Sequence, residues 1–162
     1  MARVFKFGDQ LNTDDILPGK YAPFMVGDEY YRYAFAHLRP GFAEAYRTGD
    51  LIVAGRNTGL GSSREYAPEA LKKLGVQTIV AVSYARIFFR NLVNLGIVPF
   101  ESQVVVEALN DGDQVELELT NGVIKRGEEI FSLKPPEGFL AEALREGSLF
   151  EYYRHHHRFP EG

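Results

Sequence analysis

Short apolar runs separated by polar and glycine-rich stretches set the pattern of this chain. Leu51-Ile52-Val53-Ala54 and Gln77-Thr78-Ile79-Val80-Ala81-Val82 are strand-length runs of the kind found where a strand is buried on both faces. Ile97-Val98-Pro99-Phe100 is a third, and residues 4–7 read as an earlier first strand. Residues 65–74 and 84–94 read as helices, with Gly75 and Gly96 as their stops. The order strand–helix–strand–helix–strand predicts parallel pairing with right-handed crossovers.

The pattern changes on either side of this block. Downstream, Val104-Val105-Val106, Asp111-Gly112 and residues 114–119 read as period-two, strand-forming sequence, and Asn121-Gly122 is a strong hairpin signal. Residues 123–133 supply the return strands. Pro135-Pro136 ends them, and residues 139–145 read as a last helix stopped by Gly147. Upstream, residues 8–15 are polar and turn-forming, and residues 16–30 hold Pro18, Gly19, Pro23 and Gly27, too many breakers for a long element. Residues 30–38 read as an aromatic-rich helix ended by Pro40-Gly41, and residues 41–48 as one or two further turns. The expected class is α/β, a mixed sheet with an antiparallel C-terminal portion. The expected organisation is one domain over residues 1–162, with a flexible tail from about residue 152.

Composition narrows the function. With 162 residues, 45% hydrophobic content and a net charge of -4, the chain reads as an ordinary globular domain with no broad pull on nucleic acid or anionic membrane. No apolar run is long enough for a membrane span. The first residues lack a signal-peptide core, so cytoplasm is the expected compartment. There is no cysteine, which removes disulfides, thiol catalysis and thiolate metal sites from this chain. An iron–sulfur cluster, if the chemistry needs one, has to come from elsewhere.

Candidate chemistry concentrates in Gly59-Leu60-Gly61-Ser62-Ser63-Arg64-Glu65, between a buried strand and a helix. Glycines allow close backbone approach and positive φ. The free N–H groups of a helix start attract an anion, and a guanidinium matches a carboxylate. The same residues also fit a capping box, with Ser62 as N-cap and Glu65 three positions on. Gly55, Gly59 and Gly61 exceed what a cap requires, and Arg64 in a first helical turn opposes the dipole unless an anion sits nearby. Asn12-Thr13-Asp14-Asp15 is a second polar knot, either an Asx-turn or a carboxylate that orders the site. Arg86 and Arg90, four apart, read as a solvated face or an interface. His155-His156-His157 reads as part of the tail rather than a metal site.

Three motifs together resemble the aconitase superfamily, above all its small subunits. They are Asn12-Thr13-Asp14-Asp15-Ile16-Leu17-Pro18, then Gly59-Leu60-Gly61-Ser62-Ser63-Arg64-Glu65-Tyr66-Ala67-Pro68, then Ser83-Tyr84-Ala85-Arg86-Ile87-Phe88-Phe89-Arg90-Asn91. The resemblance implies the swivelling β/β/α three-layer domain. It implies a hydro-lyase subunit that works with a large subunit carrying a [4Fe–4S] cluster. By position, Ser62 matches the general base and Arg64 the substrate-carboxylate ligand. Asp14 matches the acidic residue that supports the site, and Ser63 and Gly61 are expected to contact substrate. Self-association of the isolated chain and a subunit interface including aromatic residues from 30–35 are further expectations.

Two departures from the family pattern stand out. Tyr66 occupies a position where the family usually has His. The segment that commonly sets substrate choice reads Lys20-Tyr21-Ala22-Pro23-Phe24-Met25, without the apolar signature of isopropylmalate enzymes. Lys20 and Tyr21 are therefore candidate substrate-binding residues. Homoaconitate is the leading substrate and isopropylmalate the alternative, with a stand-alone anion-binding module as the reading from a different class.

Overall fold

The computed structural model describes residues 1–61 and 66–134. Its centre is a seven-stranded mixed sheet in the order β4-β3-β2-β1-β5-β6-β7. Strands β1 (Ala2–Lys6), β2 (Leu51–Ala54), β3 (Thr78–Ala81) and β4 (Val98–Glu101) are parallel. Strands β5 (Gln114–Glu118), β6 (Val123–Arg126) and β7 (Glu129–Ser132) extend the other side of β1 antiparallel. The parallel and antiparallel portions fall where the sequence pattern places them.

Alternation along the parallel strands sends side chains to two cores. Phe5, Ile52, Ala54, Ile79 and Ala81 face one side, where α4 (Tyr66–Leu74) and α5 (Arg86–Asn94) cover them. An aromatic group shares that core: Phe7 stacks on Phe35 at 4.3 Å and Phe5 meets Phe42 edge-on at 5.0 Å. Val4, Leu51, Val53 and Val80 face the other side and pack with Val115, Ile124 and Leu133 of the curled antiparallel portion. The sheet thus folds over itself and yields the β/β/α layering.

Three local expectations are corrected. Residues 103–108 form helix α6 (Gln103–Ala108), not a strand. Three β-branched valines favour a strand. Here Ser102 caps a helix by accepting from Val105 N (3.1 Å), and Val105, Val106 and Leu109 bury on one helical face while Val104 stays exposed. Residues 30–38 are not a helix. Only a 3₁₀ turn forms at Tyr30–Tyr33, Phe35 takes φ 56°, and Phe35 N donates to Ile16 O (2.7 Å). Residues 8–15 are not all loop, because α1 (Thr13–Ile16) is a turn of helix with a reciprocal cap: Asn12 accepts from Asp15 N (2.7 Å) and Asp15 accepts from Asn12 N (3.1 Å). Short helices α2 (Pro23–Val26) and α3 (Phe42–Ala45) complete the connections. The expected helix at 139–145 and the tail lie outside the described residues.

Pro68 sits at the third position of α4, where its missing N–H has no intrahelical partner to lose. At the amino ends of the strands, Asp50 (6% exposed) accepts from Arg3 N and from Arg47 N, each at 2.9 Å. Asp50→Ala leaves both part-buried amides without this partner and is expected to cost about 2 kcal/mol, a fall in Tm of roughly 6 °C. Thermal melts of the parent and the variant check it. At the carboxyl end of β1, Arg39 grips Asp111 through two bonds (2.6 and 3.0 Å) and holds its carboxyl below the usual range. That support is present above the ordinary carboxylate range and is lost as pH falls through the lowered value. The pair is half exposed, so it is worth no more than about 1 kcal/mol.

Candidate active site

The site is built at the carboxyl ends of the parallel strands, where α/β sheets bind ligands. Hydrogen bonding continues past the strand ends and joins three loops. Phe7 N donates to Val53 O, Gln10 N to Arg56 O (2.7 Å), Gly59 N to Leu11 O (2.6 Å) and Thr13 N to Leu60 O (2.8 Å). On the other side Thr58 N donates to Ser83 O (3.0 Å) and Ala85 N to Thr58 O (2.9 Å). The Gly59–Gly61 stretch is therefore held between the Asn12 segment and the start of α5.

Two glycines allow this. Gly59 has φ 89°, and a Cβ there would lie 2.0 Å from Phe88 Cγ. Gly61 has φ 112°, and a Cβ would lie 3.0 Å from Thr13 Oγ1. Neither conformation suits a residue with a side chain. Tyr84 secures the third loop: its hydroxyl lies between the carbonyl oxygens of Ile79 (2.9 Å) and Phe100 (2.8 Å), which share its one proton, and burial raises its pKa well above the ordinary value.

A cleft of about 620 Å³ opens beside Gly61. Asn12, Thr13, Asp14 and the turn residues Leu17, Pro18, Gly19 and Ala22 line it together with Leu60, Gly61, Tyr66 and Ala67. Asp14 is its one charged residue among the described lining, and Asp14 Oδ1 accepts from Gly19 N (3.0 Å), which fixes the turn. A smaller cleft of about 230 Å³ lies on the far side of Gly61, against Arg86, Ile87 and Phe88.

Of the predicted site residues, Asp14 and Gly61 line the larger cleft together. Lys20 and Tyr21 stand between two lining residues, Gly19 and Ala22, without lining it themselves. The Lys20 ammonium lies over the Tyr21 ring at 5.1 Å, and Tyr21 stacks on Tyr33 at 4.3 Å. Ser62, Ser63 and Arg64 lie outside the described residues, but the residues on either side of 62–65, Gly61 and Tyr66, both line the cleft. Sequence reasoning passed over Gln10, Thr13 and Leu60 as cleft residues. Thr13 lay within a motif already singled out; Gln10, at φ 55°, had no local signal.

Tyr66 is held by a brace. Its ring meets Tyr30 edge-on at 6.4 Å, and the Tyr30 hydroxyl donates to Glu69 Oε2 (3.2 Å). Burial, with the Glu69 charge beside it, raises the Tyr30 phenol above its ordinary range, so it remains a donor. The Lys73 ammonium lies over the Tyr30 ring at 4.6 Å. Tyr30 and Phe35 are spent in this chain's own core, so of the aromatic residues in 30–35 only Tyr31 and Tyr33 keep surface for a subunit interface.

Residues 35–104 match the family description Aconitase C-terminal domain. The chain is 73% identical over 161 residues to the homoaconitase small subunit of Thermus thermophilus, a match covering 99% of each chain. It is 53% identical over 161 residues to 3-isopropylmalate dehydratase small subunit 1 of Deinococcus radiodurans, covering 99% of this chain and 90% of that one. A crystal structure of 3-isopropylmalate dehydratase from Methanocaldococcus jannaschii superposes with a TM-score of 0.87 at 35% identity, over 96% of this chain and 93% of that one. The layered fold, the cleft at the strand ends and these likenesses agree: the chain belongs to the small subunits of the aconitase-family hydro-lyases.

Proposed function

We propose that this chain is the small subunit of a homoaconitase, acting as one domain and completed by a large subunit that covers the cleft. The observation that carries the site assignment is that Gly61 and Tyr66, the residues flanking the Ser62–Glu65 segment, line the same cleft as Asp14. Dehydration of a hydroxy-polycarboxylate breaks a C–H bond at one carbon and the C–O bond at its neighbour. Ser62 takes the proton. A free hydroxyl is a weak acid, so its alkoxide needs positive charge and N–H donors close by. Arg64 supplies the charge and grips a substrate carboxylate. Ser63 and Gly61 contact substrate, and Asp14 holds the facing turn. Lys20 and Tyr21, at the edge of that turn, bear on substrate choice.

The chain's own residues do not fit an iron–sulfur cluster. It has no cysteine, and no group of three or more His, Asp or Glu occurs among the described residues. We assign the [4Fe–4S] cluster to the large subunit, where it would supply Lewis-acid chemistry at the departing hydroxyl. Among the described residues no helix is long and apolar enough to cross a membrane. We place the enzyme in the cytoplasm and give it neither a membrane nor a nucleic-acid partner. Exposed apolar residues such as Phe24 and Met25 (70% and 60% exposed) support association of the isolated chain with itself.

The 73% likeness to a homoaconitase subunit, against 53% to an isopropylmalate enzyme, supports homoaconitate as substrate. The test is kcat/KM of the assembled enzyme for hydration of homoaconitate and of the dehydrated form of isopropylmalate. A preference of about tenfold or more for homoaconitate, equal to about 1.4 kcal/mol of transition-state binding, is expected. The reverse preference would overturn the substrate assignment.

A further inference from the structure

We infer that Tyr66 is a substrate-contacting residue: its phenol hydroxyl donates a hydrogen bond to the polycarboxylate held in the cleft, and the Tyr30–Glu69 pair is the brace that aims it. The inference rests on the proposed hydro-lyase reading and adds a residue to it.

Four observations combine. Tyr66 lines the same cleft as Asn12, Asp14 and Gly19, and it follows the Ser62–Glu65 segment directly in the chain. Its ring is half-buried and fixed edge-on against Tyr30. Its hydroxyl has no partner among the described residues, whereas the phenol of Tyr30 beside it has one, as do those of Tyr46 and Tyr84 elsewhere in the fold. Finally, the Tyr30 ring is 1% exposed, and its hydroxyl is anchored to Glu69, one turn along the same helix as Tyr66. A buried aromatic tied to α4 at one end and touching Tyr66 at the other holds a side chain in place without using that side chain's own polar atom. A phenol so placed offers one donor to a ligand with acceptor oxygens. It also adds a flat apolar wall beside the substrate's carbon chain.

The brace gives Tyr30 a separate role. It does not line the cleft, so it acts through Tyr66 as a positioning residue. Removing its hydroxyl frees Glu69 and loosens the Tyr66 ring, and the effect on substrate binding should run in the same direction as loss of the Tyr66 hydroxyl but be smaller.

The experiment is steady-state kinetics on the enzyme assembled from this chain and its large subunit, with homoaconitate as substrate. Three variants are compared with the parent: Tyr66→Phe, Tyr66→His and Tyr30→Phe. Tyr66→Phe is expected to raise KM about tenfold with kcat within about twofold, and to leave the melting temperature of the isolated chain unchanged. Tyr66→His keeps a donor. It is expected to recover most of the lost affinity and to make KM depend on pH near the ordinary imidazole range, about 6.5, which the parent lacks. Tyr30→Phe is expected to raise KM about threefold. An unchanged KM in Tyr66→Phe would overturn the inference, and so would a loss confined to kcat with a lowered melting temperature, because that is the signature of a packing residue. A parent enzyme that turns over homoaconitate and is inactivated by Ser62→Ala shows that the hydro-lyase reading stands whatever Tyr66 does. A parent inactive on every polycarboxylate would remove the reading and the inference with it.

Discussion

Replacing Ser62 with alanine is expected to lower kcat of the assembled enzyme by about 10³-fold, the range of a lost general base. The bland reading of the same residue makes a different forecast. If Ser62 served only as the helix cap that its spacing to Glu65 suggests, Ser62→Ala would cost about 1 kcal/mol of stability and leave turnover intact. Ser62→Asn separates the two, because asparagine caps as well as serine but cannot serve as the base. Loss of turnover in both variants, with stability kept in Ser62→Asn, assigns the proton to Ser62. Turnover retained in Ser62→Asn would take the base role away from it. Rapid-mix assays of the unsaturated acid give the rates, and melting curves of the isolated chain give the stability.

Gly59→Ala is expected to be the most damaging small substitution in the described residues. A Cβ at Gly59 would sit 2.0 Å from Phe88 Cγ and 2.4 Å from Phe88 Cβ, and φ is 89°. Phe88 is 2% exposed and belongs to the main core, so it has nowhere to retreat without moving α5. The left-handed conformation costs about 1–2 kcal/mol for a non-glycine residue, and overpacking a core adds about 1–3 kcal/mol. The sum, roughly 2–5 kcal/mol, corresponds to a Tm lower by about 10 °C for a chain of this size. Activity should fall as well, since Gly59 N also donates to Leu11 O and fixes the loop beside Asn12. Gly8→Ala is the control. No atom lies within 4 Å of a Cβ at Gly8, and no measurable change in Tm is expected. A Tm for Gly59→Ala equal to that of the control would contradict the packing described at α5.

The parts of this fold that were legible in the sequence share one property: their burial is written into the local pattern. Residues 51–54 and 79–81 are apolar throughout because both faces of those strands meet a core. Gly75, at φ 95° after α4, ends the helix by the rule that reads it. The misreadings come from long-range packing. Residues 30–38 looked helical for their aromatic content, yet Tyr30 turns to α4, whereas Phe35 stacks on Phe7 of the first loop. The valines at 104–106 looked like a strand until Ser102 capped them and the second core took two of the three.

The site divides in the same way. The motif Gly59-Leu60-Gly61-Ser62-Ser63-Arg64-Glu65 announces its chemistry through residue types. The residues that share its cleft do not, because long-range pairing brings them there: Asn12 lies beside Leu60, and Thr13 N donates to Leu60 O. Asp14 could be named from its motif. That its carboxylate receives Gly19 N and so shapes a turn lining the same cleft as Gly61 depends on three-dimensional closure. Arg86 read as surface or interface; it is exposed, but it also borders the smaller cleft, a placement its sequence spacing gave no reason to expect.

The central claim is that this chain carries half of an active site. The most direct measurement is hydration of homoaconitate by three samples: this chain alone, the large subunit alone with the cluster proposed for it, and the two mixed in equal amounts. The account predicts turnover only in the mixture, saturating at one small chain per large chain. Turnover by this chain alone, or no turnover in a mixture whose cluster is intact, would contradict it.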